Sequence, residues 1–216
     1  GVMDDPRCWL LRQALGAYAS VPDDPPVDQM EDDERVQAAV SVIVRGGGDL
    51  ELLLIKRARH EEDPWSGHMA LPGGRRAPMD DALVDTAVRE TLEETGVDLV
   101  ARGHRLGRLE DVAPSSPRLP RLTISPFVFG VPRGTGAAVA SREVDSVHWV
   151  SLGELRHPDT RCSLDIELHD GSSRSFPGLR VEGEIVWGLT YRILTDFFRV
   201  YPTERMAELD DGLARR

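Results

Sequence analysis

LPGGRRAPMDDALVDTAVRETLEETGVDL, residues Leu71 to Leu99, decides how this chain is read. Pro72-Gly73-Gly74 and a short polar stretch lead into a helical pattern that carries Arg89-Glu90 and Glu93-Glu94 and stops at Gly96. At 3.6 residues per turn, Glu90, Glu93 and Glu94 share an arc about 100° wide, and Val84, Val88 and Leu92 point the other way. The spacing predicts one acidic face and one core face. A Glu-rich helix face is ordinarily just a solvated surface, because Glu is a good helix former. Here it keeps particular company. Gly73 and Gly74 permit close backbone approach to a ligand, and Arg89 is placed to hold a neighbouring carboxylate in one rotamer. Three acids at i, i+3 and i+4 repel one another unless a positive charge sits among them. Oxygen-only ligation suits a hard divalent cation, Mg²⁺ or Mn²⁺.

Arg89-Glu90-Thr91-Leu92-Glu93-Glu94-Thr95-Gly96-Val97 resembles the second half of the Nudix hydrolase signature, Gx5Ex7REUxEExGU, with Thr91 where an aliphatic residue is usual. Upstream, Asp80 is the sixth residue after Gly74 and Asp81 stands at the signature distance from Arg89, so the intervening loop carries one extra residue. The resemblance implies a metal-dependent pyrophosphohydrolase. Glu90, Glu93 and Glu94 would be its catalytic carboxylates and metal ligands, and Arg89 would orient them. The backbone of Gly73 and Gly74 would border metal or phosphate. The implied fold is α/β, an α/β/α sandwich around a mixed β-sheet.

The 216 residues are 40% hydrophobic, enough for one well-buried core. A formal charge of -11 disfavours nucleic acid and anionic membrane as partners. A small anionic nucleotide binds such a protein only with local help from metal and arginine. Cys8 and Cys162 form neither a disulfide framework nor a metal spacing, which points to a reducing, cytoplasmic setting. With no run of about 18 apolar residues and no basic-then-apolar opening, neither a membrane span nor export is expected.

Outward from the box, Pro6 to Tyr18 is spaced as a short amphipathic helix with Asp4 or Asp5 as cap, suited to packing on the main domain or a partner subunit. Ser20 to Arg35 is acidic and Pro-rich, a surface linker. The division expected is 1–35 helix and linker, 36–201 the hydrolase domain, and 202–216 a charged, loosely held tail. Val36–Val44 and Leu50–Ile55 around Gly46-Gly47-Gly48-Asp49 read as a central hairpin ending in Lys56-Arg57-Ala58-Arg59, with Arg57 a candidate for substrate phosphate. His60 to Ala70 is turn-rich, beginning a turn at Asp63-Pro64, and His68 reads as a local hydrogen-bonding or packing residue rather than a general base. His104–Val112 and Leu122–Val131 read as strands joined by PSSPRLPR. A further strand, Glu143 to Leu155, ends at a Ser151-capped helical turn; Glu143 there is a solvated acid or an additional site carboxylate. Cys162–Arg174 reads as a hairpin turning at Asp170-Gly171, and Ile185 to Tyr201 as one long helix.

Leu53-Leu54, Arg57-Ala58, Gly67 and Pro72-Gly73-Gly74 are similar, in order, to the LLTxR[SA]x3Rx3Gx3FPGG segment of the coenzyme A pyrophosphatase branch, as is Trp187-Gly188-Leu189-Thr190. Leu71 replaces the Phe, one residue is inserted before Gly67, and Glu62-Asp63 stands at the second Arg. The resemblance implies coenzyme A or acyl-coenzyme A as substrate, with ADP-ribose or another nucleoside diphosphate derivative as the alternative. A non-catalytic nucleotide-sensing domain is the reading of another class, and monomer and homodimer are both open.

Overall fold

The computed structural model describes residues 1–18, 36–61, 67–115, 121–168 and 170–215. The linker at 20–35, the turn at Asp63-Pro64 and most of the PSSPRLPR loop, with Arg118, lie outside them. The elements in chain order are α1 (Pro6–Tyr18), β1 (Val36–Arg45), β2 (Glu51–Arg57), β3 (Met69–Ala70), β4 (Gly73–Arg75), α2 (Leu83–Thr95), α3 (Leu99–Arg102), β5 (His104–Arg108) and β6 (Leu122–Val131). After them come β7 (Val144–Ser151), α4 (Leu152–Arg156), β8 (Arg161–Glu167), β9 (Ser173–Val181), β10 (Glu184–Trp187), α5 (Gly188–Val200) and α6 (Thr203–Ala214).

Seven strands form one sheet in the order β3-β2-β1-β6-β5, with β4 added to β1 and β7 to β2. β1 and β6 run parallel from Val36↔Leu122 to Arg45↔Val131, and the other pairs are antiparallel, so the sheet is mixed. Nearly continuous β-branched and aliphatic runs in β1 and β2 demand cover on both faces, and both receive it. On one face Ala39, Ile43, Leu53, Phe127 and Phe129 pack with Leu83 and Ala87 of α2 and Leu99 of α3. On the other, Val42, Val44, Leu52 and Leu54 pack with α1, α4, α5, α6 and a second, three-stranded sheet, β10-β9-β8. This is the α/β/α sandwich. Among the described residues, no helix is long and apolar enough to cross a membrane.

Several local expectations come out as read. The Arg7 amide donates to Asp5 Oδ1 (3.0 Å) at the start of α1, whose Leu11 and Leu15 are fully buried. Ser151 caps α4 by accepting the Glu154 amide, and the Asp170-Gly171 turn joins β8 to β9, with Gly171 at φ +80°. Three expectations are corrected. Ile185–Trp187 is strand, not helix: Glu182 and Gly183 both take positive φ (52° and 75°) and fold β9 and β10 into a two-residue hairpin, so the helix begins only at Gly188. The tail is no loose end, because α6 buries Met206 and Asp210 lies 3.6 Å from Arg7. The third correction concerns α2 and belongs to the site.

Candidate active site

Helix α2 turns Glu94 inward and leaves Glu93 exposed. Thr86, Ala87, Thr91, Glu94 and Thr95 are buried, and Leu92, expected in the core, is 46% exposed. Small residues allow the helix to sit close to β1. Thr91 Oγ1 donates to Ser41 Oγ (2.9 Å), which donates to the Ala87 carbonyl (3.3 Å), so a buried hydroxyl pair stands where an aliphatic contact is usual. Gly96, in the left-handed region at φ +70°, ends the helix and sends Val97 back into the core.

Across from α2, the Gly73 amide donates to Glu94 Oε1 (2.7 Å). A Cβ on Gly74 would stand 2.5 Å from the carboxyl carbon of Glu90, so the pair of glycines forms a notch that the acids fill. Arg89 holds the arrangement. Its Nε and Nη2 make a fork on Asp80 (2.9 Å each), Nη1 donates to Glu90 Oε1 (2.9 Å), and the same nitrogen reaches both oxygens of Glu93 at 3.4 Å. Asp80, 4% exposed, also accepts the Ala77 amide and the Thr86 hydroxyl. The Arg89 fork draws the Asp80 carboxyl down to about 2. The extra loop residue is taken up by a turn in which the Asp80 amide donates to the Ala77 carbonyl, and Arg76 ties the loop by donating to the carbonyls of Asp80 and Asp81. Asp80, rather than the correctly spaced Asp81, therefore meets Arg89. Position alone had flagged both.

Arg57 ends β2 with its amide on the His68 carbonyl (3.0 Å), and its charge acts on Glu94. The segment after β6 wraps the C-terminus of α2, with the amides of Ala138 and Ala140 on the carbonyls of Thr95 and Glu94. It delivers Glu143, whose charge disfavours ionisation of both Glu90 and Glu94. Glu143 thus shares the field of the site, which no local spacing reveals. Burial is the main cause of the raised Glu90 carboxyl, opposed by Arg89. Burial also pushes Glu94 up to about 8, opposed by the Gly73 amide and by Arg57 and reinforced by Glu90.

Among the described residues, no three His, Cys, Asp or Glu side chains stand as a ready-made metal cluster, and Glu93 remains at the solvent side, held by Arg89. The donor chemistry nevertheless fits a hard divalent cation. The buried Glu94 and the half-buried Glu90 repel each other in a glycine notch, and a cation is what lets both ionise.

In metal-free protein Glu94 titrates near 8 against 4.5 in its unperturbed state, so the folded chain holds a proton that the unfolded chain releases. The associated stability is complete below pH 4.5 and is lost as pH rises through about 8. With EDTA, the contribution of Glu94 to Tm should fall between pH 5 and 9, and Mn²⁺ should raise Tm more at the alkaline end. A cation effect that is the same at every pH contradicts the assignment.

The NUDIX domain model matches residues 4–167, more than half of the chain. The chain belongs to the Nudix family. It is 36% identical over 129 residues to an uncharacterized protein of Schizosaccharomyces pombe, a match covering 58% of this chain and 39% of that one. It is 30% identical over 158 residues to the Yersinia pestis "Uncharacterized Nudix hydrolase NudL", covering 73% of this chain and 76% of the relative. A MutT/nudix family protein from Enterococcus faecalis superposes with a TM-score of 0.52 at 18% identity, covering 95% of this chain and 74% of that one, and shows the fold alone. The signature residues Arg89, Glu90, Glu93 and Glu94 of this Nudix chain all lie on α2. Nudix hydrolases generally use divalent metal ions, and carboxylate oxygens are suited to hard ones.

Proposed function

We propose that this Nudix hydrolase cleaves the diphosphate of coenzyme A or an acyl-coenzyme A, releasing 3′,5′-ADP and a 4′-phosphopantetheine species. The supporting observation is a convergence. Arg57, Gly73 and Gly74, dispersed in the motif similar to the coenzyme A pyrophosphatase branch, all bear on the box acids: the Gly73 amide donates to Glu94, Gly74 makes room for the Glu90 carboxylate, and the charge of Arg57 acts on Glu94. In this reading Glu90, Glu93 and Glu94 would hold Mg²⁺ or Mn²⁺, and the ion would supply charge neutralisation for the diphosphate and a lowered pKa for water. Arg57 meets substrate phosphate. Arg89, braced by Asp80, keeps Glu90 and Glu93 oriented, and the Gly73 amide fixes Glu94. Water oxygen bonds to one phosphorus as the P–O–P bridge breaks.

ADP-ribose is the second reading, because the second Arg of the motif is replaced by Glu62-Asp63 and Arg76 is committed to loop carbonyls. Among the described residues, the exposed Arg59 and Arg75 offer charge for a 3′-phosphate, and Arg118 lies outside those residues. Competition between substrates separates the readings. A charge-assisted contact to the 3′-phosphate predicts roughly tenfold or better efficiency on coenzyme A over its 3′-dephospho form. Equal efficiency on the two removes the 3′-phosphate site, and faster cleavage of ADP-ribose than of either transfers the assignment.

A further inference from the structure

Three rings gather where the second sheet meets the edge of the first. His68 and Trp187 lie 5.1 Å apart, edge to face at 64°, and Phe176 is 5.5 Å from Trp187. The Arg174 guanidinium covers Phe176 at 5.1 Å. All three rings are partly exposed, and none belongs to either hydrophobic cluster of the core. Their position relative to the chemistry is set by the backbone. The His68 carbonyl accepts the Arg57 amide, and the charge of Arg57 acts on Glu94, so the ring group begins one ladder rung from the site. Trp187 is the last residue of β10, held there by its pairing with Gly178 and followed by Gly188 at φ +67°, where the chain swings into α5. Lys56 of β2 pairs with Glu184 of β10, which fastens the second sheet to this edge.

A partly exposed aromatic ledge beside a cation and buried acids suits a ligand with a planar conjugated group at one end and phosphate at the other. We propose that His68, Trp187 and Phe176 form the stacking shelf for the substrate's nucleobase, while Arg57 and the box acids take its diphosphate. The inference rests on the site being a nucleoside diphosphate hydrolase, and it makes Trp187 the main determinant of base affinity. Stacking on aromatic side chains tolerates any base but requires one.

The test is calorimetric binding of AMP and of ribose 5-phosphate, in Mg²⁺, to wild type, Trp187→Leu and Trp187→Phe. AMP should bind wild type about tenfold tighter than the base-free ligand. Trp187→Leu should erase that preference and Trp187→Phe keep most of it, with circular dichroism reporting the fold of each. His68→Ala, which removes a ring without touching the second sheet, should also erode the preference and carries the test if Trp187→Leu does not fold. Equal binding of the two ligands by wild type, or an undiminished preference in folded Trp187→Leu or in His68→Ala, overturns the shelf. The two readings fail separately: a Trp187-dependent preference without diphosphatase turnover supports the shelf and sinks the hydrolase assignment. Turnover of coenzyme A with a Trp187-independent preference sinks the shelf alone.

Discussion

Glu94→Gln should lose about a hundredfold or more in turnover while the protein stays folded. The substitution is nearly isosteric, and the amide oxygen still accepts the Gly73 amide that Glu94 Oε1 now accepts at 2.7 Å. What disappears is a negative charge buried to 3% exposure, which metal binding needs and metal-free folding does not. The same variant should flatten the pH dependence of stability predicted for metal-free protein, because its titrating carboxyl is gone. Steady-state kinetics and thermal melts on one preparation check both halves. Near-normal turnover removes Glu94 from the site.

The adjacent glycines should separate stability from chemistry. A Cβ on Gly73 would meet the Ala39 carbonyl oxygen at 2.3 Å and the Val40 Cα at 2.7 Å, both backbone atoms that cannot yield. Gly73→Ala should therefore cost roughly 1–3 kcal/mol or more in denaturant unfolding, as overpacking does. At Gly74 the clash is with the Glu90 carboxylate, the far end of a flexible side chain. Gly74→Ala should leave stability close to wild type but push Glu90 off its place beside Arg89, with activity falling about tenfold or more. Similar stability losses in the two variants would mean that Gly74 serves the fold rather than the acids.

The box was legible because its residue types and spacing are rare in combination, and the caps and turns were legible because their chemistry is local. Ser151 and Asp170-Gly171 needed only their neighbours to be read. The direction in which α2 faces was legible only in part. Val84 and Val88 do pack half-buried against the core, but the helix spends its fully buried face on Ala87, Thr91 and Glu94 and leaves Leu92 outside. The choice between Asp80 and Asp81 needed the turn that absorbs one residue. The place of Trp187 at the end of a strand was hidden because Ile185-Val186-Trp187 runs directly into an apolar helix, and a short apolar run fits strand and helix alike. Glu143 reaches the acids only through tertiary packing of the segment behind α2.

The central claim is that the carboxylates of α2, gathered around a glycine notch and faced by Arg57, hydrolyse a diphosphate with a divalent cation. Its most direct measurement is turnover of coenzyme A, its 3′-dephospho form and ADP-ribose by wild type and Glu94→Gln, with Mg²⁺, Mn²⁺ or EDTA, products resolved by chromatography. Wild type with cation should cleave at least one of these between its two phosphorus atoms, with cleavage abolished by EDTA and reduced about a hundredfold in Glu94→Gln. Hydrolysis that persists in EDTA, or that Glu94→Gln performs as well as wild type, contradicts it.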